Sequence, residues 1–322
     1  MAKKIKSGIV LSNVDDLLTS REETRAGFIA MALEKNSMAI PYVREAVALK
    51  VLASKCNSPK ELLDSPTFRK GLLAASGLSK KALKFLDEED KTTAIVGLIE
   101  NFLEPAGEDF VNELIYRFLL TNGDALGGKA RNLAGALGDR KFLRTIISVL
   151  SLADVSYSWK DRKTKVWVKG DSDEAEVEKQ IKALYWKKDG QDRLLVINVK
   201  LPLIDKNVDL VLLKASPKDL MGADRSLYLQ NTRFVALGEL KGGIDPAGSD
   251  EHWKTANFAL NRVRSKFQTL GLNPPTFFIG AAIERSMAGE IVQQLNSRVL
   301  DRAANLTKDD QLVSVCEWIM NL

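Results

Sequence analysis

Three ionisable residues stand close together in the segment FVALGELKGGIDPAGSDEHW, residues 234–253. Glu239 and Lys241 lie near the end of an apolar run of strand character, and His252, the only histidine in the sequence, follows shortly after. Side chains two positions apart on a strand point to the same face. The spacing therefore predicts a carboxylate beside an ammonium group, although taken alone it favours a solvated strand end.

A second carboxylate stands on the preceding predicted strand, where Asp209 occurs in VDLVLL. If the two strands are neighbours, Asp209 and Glu239 meet at one end of the sheet. Two close carboxylates repel each other unless a cation neutralises them. Mg²⁺ suits such oxygen ligands, because it keeps several waters and takes the rest of its shell from phosphate. Lys241 could then orient a water or balance charge on a pentavalent phosphorus, as metal-assisted phosphodiester hydrolysis requires.

Two features favour a reactive site over a solvated strand end. The surrounding sequence is apolar, where a charge is costly without a partner. The pattern also falls on the second and third strands of a predicted order of helix, three strands, helix, strand and helix. Asp205 competes with Asp209 as the first carboxylate, but it lies in the connection that precedes the strand.

That order comes from periodicity and from helix start signals. The sequence pattern Ser20–Glu23 predicts a capping box, and Ser58-Pro59 a second helix start. Helical periodicity follows at 26–35, 80–103, 107–123 and 140–153. Beyond it the sequence predicts strands at 155–170, 193–204, 208–216, 231–243 and 274–283, and helices at 173–188, 249–269 and 284–305. We therefore expect a mostly helical domain at 1–153 and an α/β (α+β) domain at 154–322.

Amino-acid composition excludes only a few classes of function. The chain has 322 residues and a net charge of +5, with a pI of about 9.0, which is compatible with a nucleic-acid partner. It contains no apolar run of about 18 residues, so we expect no membrane span. The apolar run near the start is too short for the hydrophobic region of a signal peptide. Cys56 and Cys316 are expected to be buried thiols in a reducing cytoplasm, and two Cys with one His cannot complete the usual zinc site.

Three longer stretches carry a family resemblance. They are REETRAGFIAMALEKN at 21–36, FVNELIYRFLLTNGDALGGKARNLAGAL at 110–137 and LGELKGGIDPAGSDEHWKTA at 237–256. Together with the strand Asp and the strand Glu-x-Lys, they resemble the BsoBI/AvaI family of type II restriction endonucleases, over most of the chain. The resemblance implies the PD-(D/E)XK nuclease fold, a mixed sheet flanked by helices. Val208 stands where the motif's name has proline, which is not chemically required there.

The resemblance also implies an activity and its partners. It implies a homodimer that encloses double-stranded DNA and makes Mg²⁺-dependent cuts in both strands of a short palindrome, with CYCGRG as the typical degenerate site. Residues 1–153 would then contribute DNA enclosure and dimer contacts, and 154–322 would be the catalytic nuclease domain. A bacterial cytoplasmic location and a cognate methyltransferase that protects the same site are further expectations.

Roles in catalysis follow from the same resemblance. Asp209 and Glu239 are expected to bind the metal, with the Leu240 carbonyl as a further ligand, and Lys241 to stabilise the transition state. His252 would by itself be a surface residue in a helix's first turn, where the helix N-terminus disfavours the imidazolium. The resemblance makes His252 a candidate general base, or a group that orients the attacking water.

The resemblance also implies DNA contacts, each with a simpler alternative, which is a helix-connecting loop for residues 120–135 and a solvated charge for Asp245, Lys206 and Lys81. Lys129 and Arg131 lie in LTNGDALGGKARNLAG, residues 120–135, which predicts a glycine-containing connection able to approach the DNA backbone. Asp245 could accept a hydrogen bond from cytosine, and Lys206 could donate to guanine. Lys81 is a third candidate for base contact, for which the solvated charge is the preferred interpretation.

Two other functions remain open from the residues alone. A repair or junction-resolving nuclease on the same core would cut structured DNA without a fixed sequence. A DNA-binding protein without catalysis would use the acidic residues only to stabilise the sheet.

Overall fold

A computed structural model describes residues 11, 13–130, 132–171, 173–221 and 226–322. The chain divides into two compact units. One comprises the described residues up to Phe28 together with Ala134–Leu322, and the other Ile29–Leu133. The helix Leu133–Leu152 belongs to the first unit from Ala134 onward, and it packs there against the segment that follows residue 241.

The unit Ile29–Leu133 is helical and has its own apolar core. Its core includes Leu49, Leu72, Ile95, Leu114 and Phe118. The helices that carry these side chains are α2, Arg21–Ala53; α3, Pro66–Ala75; α4, Glu88–Leu98; and α5, Phe110–Ala130. The N-terminus of α3 shows how local sequence starts a helix. The Ser65 side chain accepts a hydrogen bond from the Thr67 amide, and Pro66 takes the first helical position.

The α/β unit is built on one mixed sheet. Within the described residues its strands are β1, Tyr157–Asp161; β2, Trp167–Lys169; β3, Ile181–Lys188; β4, Gln191–Leu201; β5, Lys206–Leu213; β6, Phe234–Lys241; β7, Thr276–Gly280; and β8, Arg302–Asn305. They lie in the order β2-β1-β3-β4-β5-β6-β7-β8. Neighbours are antiparallel from β2 to β6, whereas β6, β7 and β8 run parallel.

Helices cover this sheet and bury its central strands. They are α1, Val14–Leu17; α6, Leu133–Leu152; α7, Ser249–Gln268; α8, Arg285–Asn296; and α9, Asp309–Asn321. Strands β5 and β6 read as almost continuous apolar runs because side chains on both of their faces are buried. One core cluster joins Val211 and Leu237 to Phe267 of α7, and another joins Trp253 of α7 to Phe278.

The fold class predicted from the sequence is confirmed, and so are β1, β2, β4, β5, β6, β7 and α7 at close to their predicted positions. The helix predicted at 173–188 is wrong, since β3 occupies Ile181–Lys188. Alternating buried side chains along β3 explain the strand. The helix predicted at 284–305 is too long, because α8 ends at Asn296 and β8 follows.

The remaining expectations concern the cysteines and the membrane. Cys316 is buried and Cys56 is half-buried, and both thiols are free. No helix among the described residues is both long and apolar enough to cross a membrane.

Close packing between α6 and the segment after β6 depends on two glycines. A Cβ on Gly138 would lie 2.8 Å from the Gly242 Cα, and a Cβ on Gly242 would lie 2.3 Å from the carbonyl oxygen of Ala134. Both contacts are to backbone, which cannot move aside as a flexible side chain would. The glycines therefore allow α6 to lie directly against the end of β6.

We expect Gly242→Ala to lower the free energy of unfolding by roughly 1–3 kcal/mol, because the added methyl group overpacks this contact. Gly127→Ala in α5 is the matched control. A Cβ there meets no atom within 4 Å, and alanine is the better helix former. Urea unfolding of both variants measures the difference, and equal stability of the two would contradict this account of the packing.

Candidate active site

The carboxyl-terminal half of β6 and the middle of β5 bring the two predicted carboxylates together. Leu210 of β5 pairs with Gly238 of β6. Continuing this register by one residue places Asp209 opposite Glu239, where cross-strand side chains share a face. Lys241 is two residues beyond Glu239 and lies on the same face. The pairing of the strands predicted from the sequence is therefore observed.

Direct hydrogen bonds join these three side chains. The Lys241 Nζ donates to Asp209 Oδ2 at 2.8 Å and to Glu239 Oε2 at 2.7 Å. The Leu240 amide donates to the same Asp209 oxygen at 3.0 Å. Glu239 is almost wholly buried, with 4% of its side chain exposed, whereas Lys241 and Asp209 keep 19% and 20%. The cluster is thus mostly buried, and Lys241 and Asp209 are the members that reach solvent.

Burial shapes the protonation of this cluster. Desolvation, followed by the negative charge of Asp209, raises the pKa of Glu239 to about 8, although Lys241 opposes the shift. Desolvation alone would lower the pKa of Lys241, but the carboxylates of Glu239 and Asp209 outweigh it and raise that pKa. The lysine therefore remains an ammonium group, and the carboxyl of Glu239 holds its proton more tightly than an exposed glutamate does.

Asp205, the alternative first carboxylate, lies outside this cluster. It occupies the turn between β4 and β5 and pairs with Lys200 at 2.7 Å, with 82% of its side chain exposed. Its exposure and its separate partner leave Asp209 as the carboxylate that faces Glu239.

Asp139 of α6 is a further acidic residue that the sequence did not single out. Desolvation and then the charge of Asp209 raise the pKa of Asp139 to about 6, which places it in the electrostatic field of the cluster. Its Oδ2 accepts a hydrogen bond from Asn198 Nδ2 at 3.4 Å. No local pattern distinguishes Asp139 from other helical acids, because the Gly138–Gly242 contact that positions it is tertiary.

His252 is brought back toward the end of β6. It lies half-buried in the first turn of α7, and a Cβ on Gly243 would be 2.5 Å from its Nε2. The imidazole therefore packs directly on the backbone two residues after Lys241. Only glycine at 243 leaves room for the ring in this position.

Two candidate DNA contacts lie in the α/β unit. Asp245 is exposed and caps the short 3-10 turn Pro246–Gly248, where its Oδ1 accepts from the Ala247 amide at 3.0 Å. Lys206 is exposed at the first position of β5. Both side chains can reach solvent, so both remain able to contact a ligand.

The other candidates belong to the helical unit or lie beyond the description. Lys81 is exposed beside the short turn Ala82–Lys84. Lys129 is exposed, and its Nζ donates to the Tyr42 hydroxyl at 2.7 Å. The predicted loop at 120–135 is wrong, because α5 continues through both adjacent glycines to Ala130. Arg131 lies outside the described residues.

Comparison with known proteins identifies the family. A family model described as "Restriction endonuclease BsobI" matches residues 9–322. The chain belongs to this restriction endonuclease family. Among its relatives, the type II restriction enzyme BsoBI of Geobacillus stearothermophilus is 52% identical over 315 residues, covering 97% of each chain. The type II restriction enzymes AvaI of Nostoc sp. and of Anabaena variabilis are each 50% identical over 308 residues, covering 96% of this chain and 97% of theirs.

The restriction endonuclease family uses divalent metal, and the residues at the end of β6 fit such an ion. Asp209 and Glu239 supply hard oxygen donors whose negative charge is only partly balanced by Lys241. Within the described ranges, no group of three or more His, Cys, Asp or Glu could hold a metal. Two carboxylates leave the rest of the shell to other oxygen ligands such as water, which hard divalent cations accept.

The buried carboxyl of Glu239 predicts a pH-dependent stability of the metal-free protein. Its pKa rises from 4.5 to about 8 on folding, so the folded state binds the proton more tightly. The protonated carboxyl therefore stabilises the folded state. This contribution to the free energy of unfolding is fully present below pH 4.5 and is lost as the pH rises through about 8. Glutamine at 239 stays neutral at every pH. When the pH is raised from 5 to 9, we therefore expect the free energy of unfolding of Glu239→Gln to increase by roughly 1–3 kcal/mol relative to that of the wild type.

Urea unfolding in EDTA at both pH values measures this gain. Glu284→Gln is the control, because it removes an exposed carboxyl at the start of α8. If the free energies of unfolding of the wild type and Glu239→Gln changed with pH in the same way, the pKa of Glu239 would not change on folding and the prediction would be wrong.

Proposed function

We propose that this protein is a homodimeric type II restriction endonuclease that makes Mg²⁺-dependent double-strand cuts in a short degenerate palindrome of the CYCGRG kind. One observation carries the proposal. Asp209, Glu239 and Lys241 form a hydrogen-bonded cluster at adjacent strands, in a chain that matches named type II restriction enzymes over nearly its whole length. Metal-assisted phosphodiester hydrolysis uses such oxygen donors to hold the ion, together with fixed positive charge at the phosphate.

The carboxylates and one backbone group would hold the metal. Asp209 and Glu239 would each offer a carboxylate oxygen, and the Leu240 carbonyl would add a neutral oxygen ligand. A bound Mg²⁺ supplies positive charge at the scissile phosphate. Glu239 must lose its proton to serve as a ligand, so its raised pKa makes metal binding stronger with rising pH.

Lys241 acts as a cation and not as a general base. Its pKa is raised by Glu239 and Asp209 despite burial, so the ammonium persists at neutral pH. A fixed ammonium can balance the charge that builds on the phosphate oxygens, and it can donate a hydrogen bond to the attacking water. The two short bonds to the carboxylates hold the Nζ in place before substrate arrives.

His252 is proposed to help activate the water. Its imidazole lies on the Gly243 backbone, in the segment that directly follows Lys241. A neutral imidazole in this place could accept a proton from the attacking water or orient it.

Recognition of DNA is assigned to exposed side chains. Asp245 would accept a hydrogen bond from a cytosine amino group, and Lys206 would donate a hydrogen bond to the acceptor atoms of guanine. Asp245 already accepts one backbone hydrogen bond, which fixes its orientation while leaving further acceptor capacity. Lys81 is proposed as another base contact, and Lys129 and Arg131 as contacts to the DNA backbone.

Assembly and location complete the proposal. A dimer's two-fold axis can coincide with that of a palindrome, so that each subunit cuts one strand. The helical region within 1–153 would contribute DNA enclosure and dimer contacts, and 154–322 the catalytic domain. The enzyme would work in a bacterial cytoplasm, where a cognate methyltransferase protects the same site on the host DNA.

Plasmid digestion tests this function directly. We expect discrete linear fragments with Mg²⁺, none with EDTA, and ends whose sequence reveals one short palindrome. Cutting only at branched DNA would indicate a repair or junction-resolving nuclease instead. Binding to DNA without any cutting would leave a DNA-binding protein.

The catalytic assignment is tested by Asp209→Asn, with Asp205→Asn as the matched control. Both variants remove one carboxylate charge near the amino-terminal half of β5, but only Asp209 bonds to Lys241. We expect the cleavage rate to fall by about 10³-fold or more for Asp209→Asn and to change little for Asp205→Asn. Equal activity of the two variants would remove Asp209 from the site.

His252→Ala should leave DNA binding nearly unchanged and slow cleavage by about 10²–10⁴-fold, the usual contribution of a general acid–base group. Binding is measured by gel shift with Ca²⁺, and cleavage by single-turnover kinetics with Mg²⁺. A wild-type cleavage rate in this variant would demote His252 to a structural residue.

A further inference from the structure

Asn198 adopts a backbone conformation that is unusual inside a strand. It lies within β4 with a φ of +51°, in the left-handed region that few residues other than glycine adopt. The other non-glycine residues with positive φ in the described chain lie in turns and connections, for example Asp189 and Asp205 at the two ends of β4. Asn198 thus departs from strand geometry where the sheet is otherwise regular.

The departure occurs directly beside Asp209. Ile197 pairs with Leu210 and Val199 with Val208, so the same register continues on both sides. Asn198 and Asp209 are the pair between them, and at this position the ladder is interrupted. No residue is inserted, so the interruption changes the direction of one residue without shifting the strands.

Two charged residues hold Asn198 in this conformation. The Lys182 Nζ donates to the carbonyl oxygens of both Ile197 and Asn198, the latter at 3.0 Å. From α6, Asp139 accepts a hydrogen bond from the Asn198 amide. The main chain and the side chain of Asn198 are therefore both hydrogen-bonded to groups other than Asp209.

A regular strand residue at 198 would behave differently. Directly opposed residues of an antiparallel pair have Cβ atoms about 4.5–5.5 Å apart on one face, so the side chain would lie against the Asp209 carboxylate. In the structure that carboxylate instead bonds to Leu240 and Lys241 of β6. The missing ladder pair shows that the left-handed residue does not oppose Asp209 as a regular strand residue would.

We propose that Asn198 is a positioning residue of the nuclease site, whose left-handed backbone keeps Asp209 turned toward Glu239 and open to a divalent cation. The inference rests on the proposed metal-dependent function. Asn198 touches neither metal nor DNA in this role, and it acts through the direction of Asp209. The backbone conformation, more than the amide group, is the property that matters.

Substitutions at 198 can be ordered by their tolerance of positive φ. Glycine accepts it freely, alanine less well, and β-branched valine poorly. We expect Asn198→Gly to bind Mn²⁺ nearly as the wild type does, Asn198→Ala to bind more weakly, and Asn198→Val to lose about tenfold or more in affinity. The loss of free Mn²⁺ signal in electron paramagnetic resonance measures binding to the full-length protein without DNA.

Asp189→Val is the matched control, since it imposes the same backbone conflict at φ +50° in the turn between β3 and β4. It should lower the unfolding temperature, as Asn198→Val does, but leave Mn²⁺ affinity within about twofold of the wild type. If Asn198→Val does not fold, Asn198→Gly and Asn198→Ala still give the predicted order.

Three results would overturn the inference. They are wild-type affinity in the alanine and valine variants, equal losses for glycine and alanine, and a loss in Asp189→Val as large as in Asn198→Val. The proposed function fails separately, if the wild type neither cuts DNA nor binds Mn²⁺ more tightly than Asp209→Asn. That failure would take the positioning role with it, whereas unchanged binding in Asn198→Val would leave the nuclease function intact.

Discussion

The chemistry of the candidate site is constrained by the mutual repulsion of two carboxylates that the fold places side by side. Glu239 has little water to screen its charge, and Asp209 stands across from it on the neighbouring strand. Such a pair is tolerated only with a cation between its oxygens or a proton on one of them. Lys241 supplies the cation from the same strand, because a period of two returns its side chain to the same face.

Close backbone packing completes the surroundings of this pair. Glycines at 138 and 242 let α6 lie against the end of β6, and Gly243 gives the His252 ring a place on the backbone. None of these glycines is described with a positive φ, so space and not backbone freedom explains them. The few residues after β6 thereby end the strand, allow α6 to pack closely and provide the backbone surface on which the His252 ring lies.

The sequence predicted the parts of this site that depend on local spacing. Glu239 and Lys241 follow from strand periodicity, and Asp209 from a charge within an apolar run. It could not predict Asp139 or Asn198, because their proximity to Asp209 arises from helix packing and from one backbone torsion. Local pattern was also misleading in two places. Charged residues before β3 obscured the alternation of that strand, and Gly127 and Gly128 suggested a loop although α5 continues through them.

The double hydrogen bond of Lys241 ties a positive charge to both carboxylates through the protein's own chain. Because the ammonium is tethered to the strand by its side chain, it stays at a fixed local concentration that dilution cannot reduce. Any ion that approached these oxygens would have to share or displace the same contacts. The tether therefore balances part of the negative charge of the pair without an ion from the solvent.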